Sequence, residues 1–311
     1  MDFFKKINNI DFIYFSNYFF KLSIFFCIIF LFIIFFKGIN LGLDFKGGLQ
    51  IEMKFSNIYD IDILKNEFDK LNIKNFTLQK YGADKELLLN ISNCDSNNKN
   101  YIINLIDNHF NLNKPFKIFE IERSEYIGAA ISDKLYDNGS FAIFLAMIFM
   151  MMYITFRFNY KFGICAVVAL IHDMIILIGV ISILNIEFTL IVFSSLLAIL
   201  GYSINNTVVI FDRIRENINN FVELKYYDFY VIINESVNKT LSRTIMTSFT
   251  TLLVIIILMF FGSVSLFYFS FILFLGIIIG TYSSIYIAPY GIYLFSKYTF
   301  FIKNVNIDDR P

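Results

Sequence analysis

The chain has 311 residues with 26 basic and 26 acidic side chains, so its formal charge is zero and it offers no basic surface for nucleic acid. Hydrophobic residues make up 57%, which with a mean hydropathy of +0.62 excludes an ordinary soluble domain. The cysteines, Cys27, Cys94 and Cys165, have no metal-ligand spacing and form no disulfide framework.

Six runs are apolar over the ~20 residues a bilayer crossing takes: 19–36, 139–156, 162–184, 188–211, 244–262 and 266–296. The first follows Lys5, Lys6 and Lys21, and no small-residue cleavage site comes after residue 36. It reads as an uncleaved span behind a short lead, 1–18, rather than as a signal peptide.

Residues 37–138 then form a separate domain. "GGLQIEMKF" (47–55) alternates as a strand does, and "DIDILKNEFDKL" (60–71) has helical spacing. "NFTLQKY" (75–81) and "KELLLNIS" (85–92) flank Gly82 and Asp84, a hairpin signal. "NNKNYIINLIDNHF" (97–110) is helical again, and "FKIFEIER" (116–123) is a last strand. The order β-α-β-β-α-β is that of a ferredoxin-like fold. The domain holds no nucleophile–base set, phosphate loop or metal cluster, and His109 stands alone on a surface helix. No enzymatic activity, metal or cofactor is expected.

Lysine and arginine orient the chain. With the N-terminus in the cytoplasm, the loop 157–161 falls inside with Arg157 and Lys161, as does 212–243 with Arg213, Arg215, Lys225, Lys239 and Arg243. The tail after 296 has Lys297, Lys303 and Arg310, whereas the outer turns 185–187 and 263–265 have no lysine or arginine. The fold class is therefore a polytopic α-helical membrane protein. Six spans surround one extracytoplasmic α+β domain after the first helix, five spans occupy 139–296, and both termini lie inside.

Polar groups within spans are costly and mark function by default. His172 and Asp173 lie halfway along 162–184, where an isolated carboxylate pays heavily for its charge. In "GYSINNTVVIFDRIREN" (201–217), Asn205 and Asn206 interrupt an apolar run that ends at Asp212, Arg213 and Arg215. Ser194, Ala198, Gly201 and Asn205 share one helical stripe, with the asparagines roughly 9 Å inside the end at Asp212. In "TLSRTIMTSFTTLL" (240–253), Thr240, Thr244, Thr247 and Thr251 share another stripe, with Arg243 and Thr250 near it. Hydroxyls and a guanidinium are expected to face the bundle interior or a water cavity, with Asn205 and Asn206 looking toward this stripe and Asn206 at a depth similar to Arg243. Helix-to-helix hydrogen bonding is the simpler account of the hydroxyls, and an ion path that of Asp173 with Arg243. "GIIIG" (276–280) needs nothing beyond close helix packing.

These stretches resemble the SecD/SecF family of bacterial protein-export subunits, on its SecF side. The family pattern GYSINDTVVxFDRIREN is matched at 201–217, and "LGLDFKGG" (41–48) is similar to its glycine motif. "ALIHDMIILIG" (169–179), "LSRTIMTSFTTLL" (241–253) and "GTYSSIYIAP" (280–289) look like its other membrane motifs. The resemblance implies a SecD partner completing a twelve-span unit like the resistance-nodulation-division transporters. It implies use of the proton gradient to help preproteins leave the SecYEG translocon at the cell inner membrane, with YajC and YidC as further partners. It assigns Asp173 and Arg243 to a polar membrane path, and Asp44, Gly47 and Gly48 to the base or hinge of the outer domain. The family has Asp where this chain has Asn206, and Thr where it has Lys46. A small-molecule proton antiporter would be expected to carry a second six-span half. A non-conducting scaffold remains as the other alternative because of Asn206.

Overall fold

A computed structural model describes residues 10–56, 61–71, 73, 75–80, 85–92, 94, 98–111, 119–219 and 226–298. Gly82 and Asp84 of the hairpin signal, Lys5, Lys6, Lys225, Lys303 and Arg310 lie outside them, and the side chain of Lys297 is likewise not described.

Six helices are long and apolar enough to cross a membrane. They are α1 (Phe12–Lys37), α5 (Ala129–Arg157), α6 (Tyr160–Ile183), α7 (Leu190–Asn219), α8 (Tyr226–Phe261) and α9 (Val264–Tyr298). Most overrun the apolar stretches. α1 begins at Phe12 rather than 19, where Asp11 caps it by accepting the Tyr14 amide. α5 begins at 129, ten residues before the apolar run. The inner loop expected at 212–243 is largely helix, since α7 continues to Asn219 and α8 starts at Tyr226. The overruns at 129–138, 212–219 and 226–243 carry polar and charged side chains among their apolar ones, whereas that at 12–18 is mainly aromatic.

Between α1 and α5 lie α2 (Leu43–Lys46), β1 (Gly48–Phe55), α3 (Ile61–Lys70), β2 (Phe76–Lys80), β3 (Glu86–Ser92), α4 (Lys99–Asn111) and β4 (Phe119–Ile127). The strands form one sheet in the order β2-β3-β1-β4, with every neighbouring pair antiparallel. After the short α2, the element order and sheet order are those of a ferredoxin-like domain. Alternation along β1 buries Leu49, Ile51, Met53 and Phe55 on one face, against Leu64 and Phe68 of α3 and Ile106 and Phe110 of α4.

In the membrane part, α6, α7 and α9 form the interior, while α1 and α5 keep most of their apolar surface outside. Gly276 and Gly280 set α9 tightly on α7. A Cβ at Gly276 would lie 2.2 Å from Ile199, and one at Gly280 would lie 3.0 Å from Ser203. The GxxxG stretch thus packs helices together, as its spacing suggests.

Candidate functional site

Asp173 is 1% exposed at the centre of three helices. Its Oδ2 accepts from Ser203 Oγ of α7 at 2.7 Å and from Ser283 Oγ of α9 at 2.8 Å. Its Oδ1 lies 2.9 Å from Nδ1 of His172, also buried. A buried carboxyl is tolerable only with such donors, and the apolar runs of α7 and α9 each supply one small hydroxyl to meet it. Nε2 of His172 is buried with no partner among the described residues. The imidazole lies 6.2 Å, centroid to centroid, from Tyr282, whose hydroxyl joins Ser23 at 2.7 Å and donates to the Phe19 carbonyl at 3.0 Å. Polar contacts thus run from α6 through α7 and α9, and from α9 to α1.

One turn beyond Ser203, Asn206 is 3% exposed and its Nδ2 has no partner among the described residues, whereas Asn205 is exposed. Next to this layer, the Tyr202 hydroxyl donates to Ser248 Oγ of α8 at 3.0 Å, and Ser248 joins Thr281 of α9 at 2.7 Å. Because α7 and α8 run antiparallel, one further turn brings Asn206 level with Thr244. The Oγ1 of Thr244 is also buried and unpartnered.

The expected interior stripe on α8 needs correcting. Thr240, Thr244 and Ser248 face inward, but Arg243, Thr247 and Thr250 are exposed. Thr247 satisfies its hydroxyl on the carbonyls of Arg243 and Thr244, both at 3.0 Å. The guanidinium of Arg243 has no partner among the described residues. The stripe Ser194, Ala198, Gly201 and Asn205 on α7 is exposed too, and a Cβ at Gly201 would meet nothing within 4 Å. The physical reason is that α8 spends its Thr240–Thr244–Ser248 edge on α7 and α9, which leaves the Arg243 edge turned outward. Asp173 and Arg243 therefore lie on different faces, one inside this chain and one open. Asn206 lies level with Thr244 of the expected stripe, while Asn205 is exposed.

At the end of the bundle next to the sheet, Asp44 accepts the Leu190 amide at 2.8 Å and so caps the start of α7. Gly47 and Gly48 have φ of +71° and +144°, and a Cβ at Gly48 would sit 2.1 Å from the Ile91 carbonyl oxygen. Only glycine fits there. Gly48 already pairs with Ser92 and Ile127 on its two sides, so a hinge at this residue would break both pairings. These glycines serve close packing at the base of the sheet. At the opposite end of the bundle, Arg215 donates to the Arg157 carbonyl at 2.9 Å and to Asp212 at 3.1 Å, and stacks over Phe158. Arg213 pairs with Glu216 at 2.5 Å. The charged motif thus closes the exposed C-terminal end of α5. His109 lies on α4 with Nε2 3.2 Å from Glu67. Among the described residues no His, Cys, Asp and Glu group is arranged to hold a metal.

Sequence reasoning missed Ser203 and Ser283, whose hydroxyls look ordinary in a membrane helix. It also missed a clamp on the N-terminal segment. Asn234 Oδ1 takes the Phe12 amide at 2.7 Å, Asn238 bonds both backbone groups of Ile10, and Tyr230 donates to Asp11. The i, i+4 spacing of Asn234 and Asn238 was the available signal.

Six spans, a ferredoxin-like domain inserted after the first, and polar side chains set at membrane depth define a multi-pass membrane protein of the transport kind. Residues 109–297 match the family model "Protein export membrane protein SecD/SecF, C-terminal", and residues 32–57 match the SecD/SecF GG motif. The chain belongs to the SecD/SecF family, and its curated relatives are SecF subunits. It is 38% identical over 290 residues to the protein translocase subunit SecF of Calditerrivibrio nitroreducens, covering 93% of this chain and 95% of that one. It is 37% identical to the SecF of Pseudomonas aeruginosa, covering 91% of this chain and 90% of that one. The crystal structure of SecDF from Thermus thermophilus, described as a translocon-associated membrane protein, superposes with a TM-score of 0.81 at 30% identity. That match covers 94% of this chain and 39% of the SecDF chain, so the present chain spans about two fifths of it. SecDF in a super-membrane-facing form superposes with a TM-score of 0.67 at 29% identity, covering 92% of this chain and 38% of that one. These likenesses support a role in Sec-associated protein translocation.

Proposed function

We propose that the chain is the SecF half of a SecD-partnered accessory unit of protein export. The unit draws on the proton gradient to help preproteins leave the SecYEG channel on the outer side of the bacterial inner membrane. The observation that carries this reading is the open face of α7 and α8. Arg243, Asn205 and Thr247 stand there at membrane depth, exposed in this chain. A guanidinium facing hydrocarbon is expensive, so such a face calls for a second membrane half. A SecD chain would cover it and would account for the length of the Thermus SecDF that this chain does not match. YajC and YidC are more distant partners in the same reading, and the lysine and arginine distribution favours both termini in the cytoplasm.

The proton route in this reading runs between the halves, past Asn205, Arg243 and Thr247, with Asn206 buried just behind that face. An amide does not exchange a proton near neutral pH, so the carboxyl at that seam belongs to the partner. Asp173 with His172 is the exchangeable layer inside this chain. The scaffold alternative is favoured by one observation, the amide at 206. Purification of the chain from its membranes in mild detergent, followed by identification of what accompanies it, tests the partnership. A SecD chain in comparable amount, with the translocon beneath it, is the expected result. A chain recovered without either removes the reading.

A further inference from the structure

The turn between α6 and α7 is where three parts of the molecule meet. Its backbone pairs with the linker after α1: Phe188 N–H donates to the Asn40 carbonyl at 2.8 Å, and Gly42 N–H donates to the Phe188 carbonyl at 2.9 Å. Ser182 Oγ and Lys37 Nζ add two bonds on either side, to the carbonyls of Gly38 and Ile183. Immediately after the turn, Asp44 holds the Leu190 amide. Glu187, within the turn, reaches instead to the outer domain. Its Oε1 accepts from Thr77 Oγ1 at 3.0 Å, and its Oε2 lies 3.5 Å from Asn90 Nδ2.

Thr77 and Asn90 are directly opposed across β2 and β3. Residues so opposed share a face of the sheet, and here they present two donors to the two oxygens of one carboxylate. Asn90 is buried, and its Oδ1 has no partner among the described residues. Turning that amide over would set the oxygen against the carboxylate, so the fork has one polarity. Gly47 and Gly48 at the base are packed against backbone, and the linker is pinned to the turn. Little slack is left between sheet and helix.

We propose that Glu187 is the positioning residue that couples the outer domain to α7, the helix that carries Asn205 and Asn206. A displacement of the sheet then passes through Glu187 into the first turn of α7 instead of being absorbed in the linker. Its consequence for export rests on the function proposed above; its geometry does not.

Hydrogen–deuterium exchange on the full chain, purified with its partner, reads the coupling directly. In Glu187→Ala, amide protection over 190–194 falls about threefold to tenfold, while protection along α6 and α9 keeps its wild-type value and reports an intact fold. Thr77→Val gives the same loss, and the two substitutions together give no more than either alone. Glu187→Gln, which keeps an acceptor for Thr77, stays near wild type. Wild-type protection over 190–194 in Glu187→Ala overturns the proposal, and so does a loss that Thr77→Val fails to reproduce. Gradient-driven export in vesicles is measured alongside and falls in the variants that lose protection. Unchanged export in those variants also overturns the coupling. If wild-type vesicles show no gradient-driven export, the function proposed above fails, and the exchange data still decide the coupling.

Discussion

Ser203 on α7 donates its hydroxyl to Asp173 on α6 across 2.7 Å, inside a bundle where neither side chain meets solvent. With Ser283 at 2.8 Å on the same oxygen, the carboxyl ties three helices together. Asp173→Asn keeps the shape and most of the hydrogen bonding but carries neither charge nor exchangeable acid. Its expected effect is a chain that accumulates normally and loses gradient-driven export, read by comparing expression with export in inverted vesicles. Asp173→Leu leaves the buried Ser203 hydroxyl without its acceptor, at about 1–3 kcal/mol, while Ser283 keeps the Gly280 carbonyl at 3.2 Å, and should lower thermal stability as well. Normal gradient-driven export by Asp173→Asn would make Asp173 structural only.

Arg243 lies on the open face, so replacing it costs this chain little. Arg243→Gln should leave the melting of the isolated chain within about 0.5 kcal/mol of wild type. The same substitution should reduce the amount of SecD that co-purifies and abolish gradient-driven export. A large loss of stability in the isolated chain would mean that Arg243 is buried within it after all.

The cap at the end of the bundle next to the sheet gives a local expectation. Asp44→Ala removes the acceptor of the Leu190 amide, at about 0.5–2 kcal/mol for a lost cap. Faster exchange should be confined to the first turn of α7, with Asp44→Asn recovering most of the protection. Exchange unchanged at Leu190 would show that the cap does not form in solution.

Gly48 combines backbone strain with a steric clash. Gly48→Ala places a Cβ where 2.1 Å separates it from the Ile91 carbonyl oxygen, in a conformation that side chains rarely adopt. The two costs together come to about 2–6 kcal/mol, enough to unfold the outer domain. Loss of the chain from membranes, or rapid proteolysis within 48–127, is the expected readout. Normal accumulation with a protease-resistant domain would contradict the packed base.

Much of this was legible in the sequence because it rests on periodicity. The alternation of Leu49, Ile51, Met53 and Phe55 marks a strand with one buried face, and the apolar runs mark the spans. The buried pair His172–Asp173 stood out for the same reason, since charge is rare at membrane depth. What could not be read was direction. A helical stripe gives the angle between Arg243 and Thr244, but which of them faces the bundle depends on how α8 docks against α7 and α9. The partners of Asp173 were hidden because a serine in an apolar helix carries no signal of its aim. Glu187 was hidden because its role depends on a contact with Thr77, 110 residues away. The helical overrun at 226–243 was missed because its polar residues bond to protein, as Asn234 and Asn238 do, rather than to lipid.

Asn206 tests whether the buried layer behind the seam takes part in moving a proton. If the exchanging carboxyl sits on SecD, Asn206→Asp should be tolerated, with the unpartnered Thr244 hydroxyl as a donor at the same level. Asn206→Leu should impair export by replacing the buried amide of the layer it shares with Thr244 with an apolar side chain. Equal export by wild type and Asn206→Leu would remove the side chain from the path.

The most direct test is preprotein export into inverted membrane vesicles containing this chain and its SecD partner, with and without an uncoupler. With the gradient intact, the wild-type chain should speed the late stage of export over vesicles that lack it, and collapse of the gradient should remove that gain. An equal gain with the gradient collapsed would contradict the proton-driven account and leave a scaffold in its place.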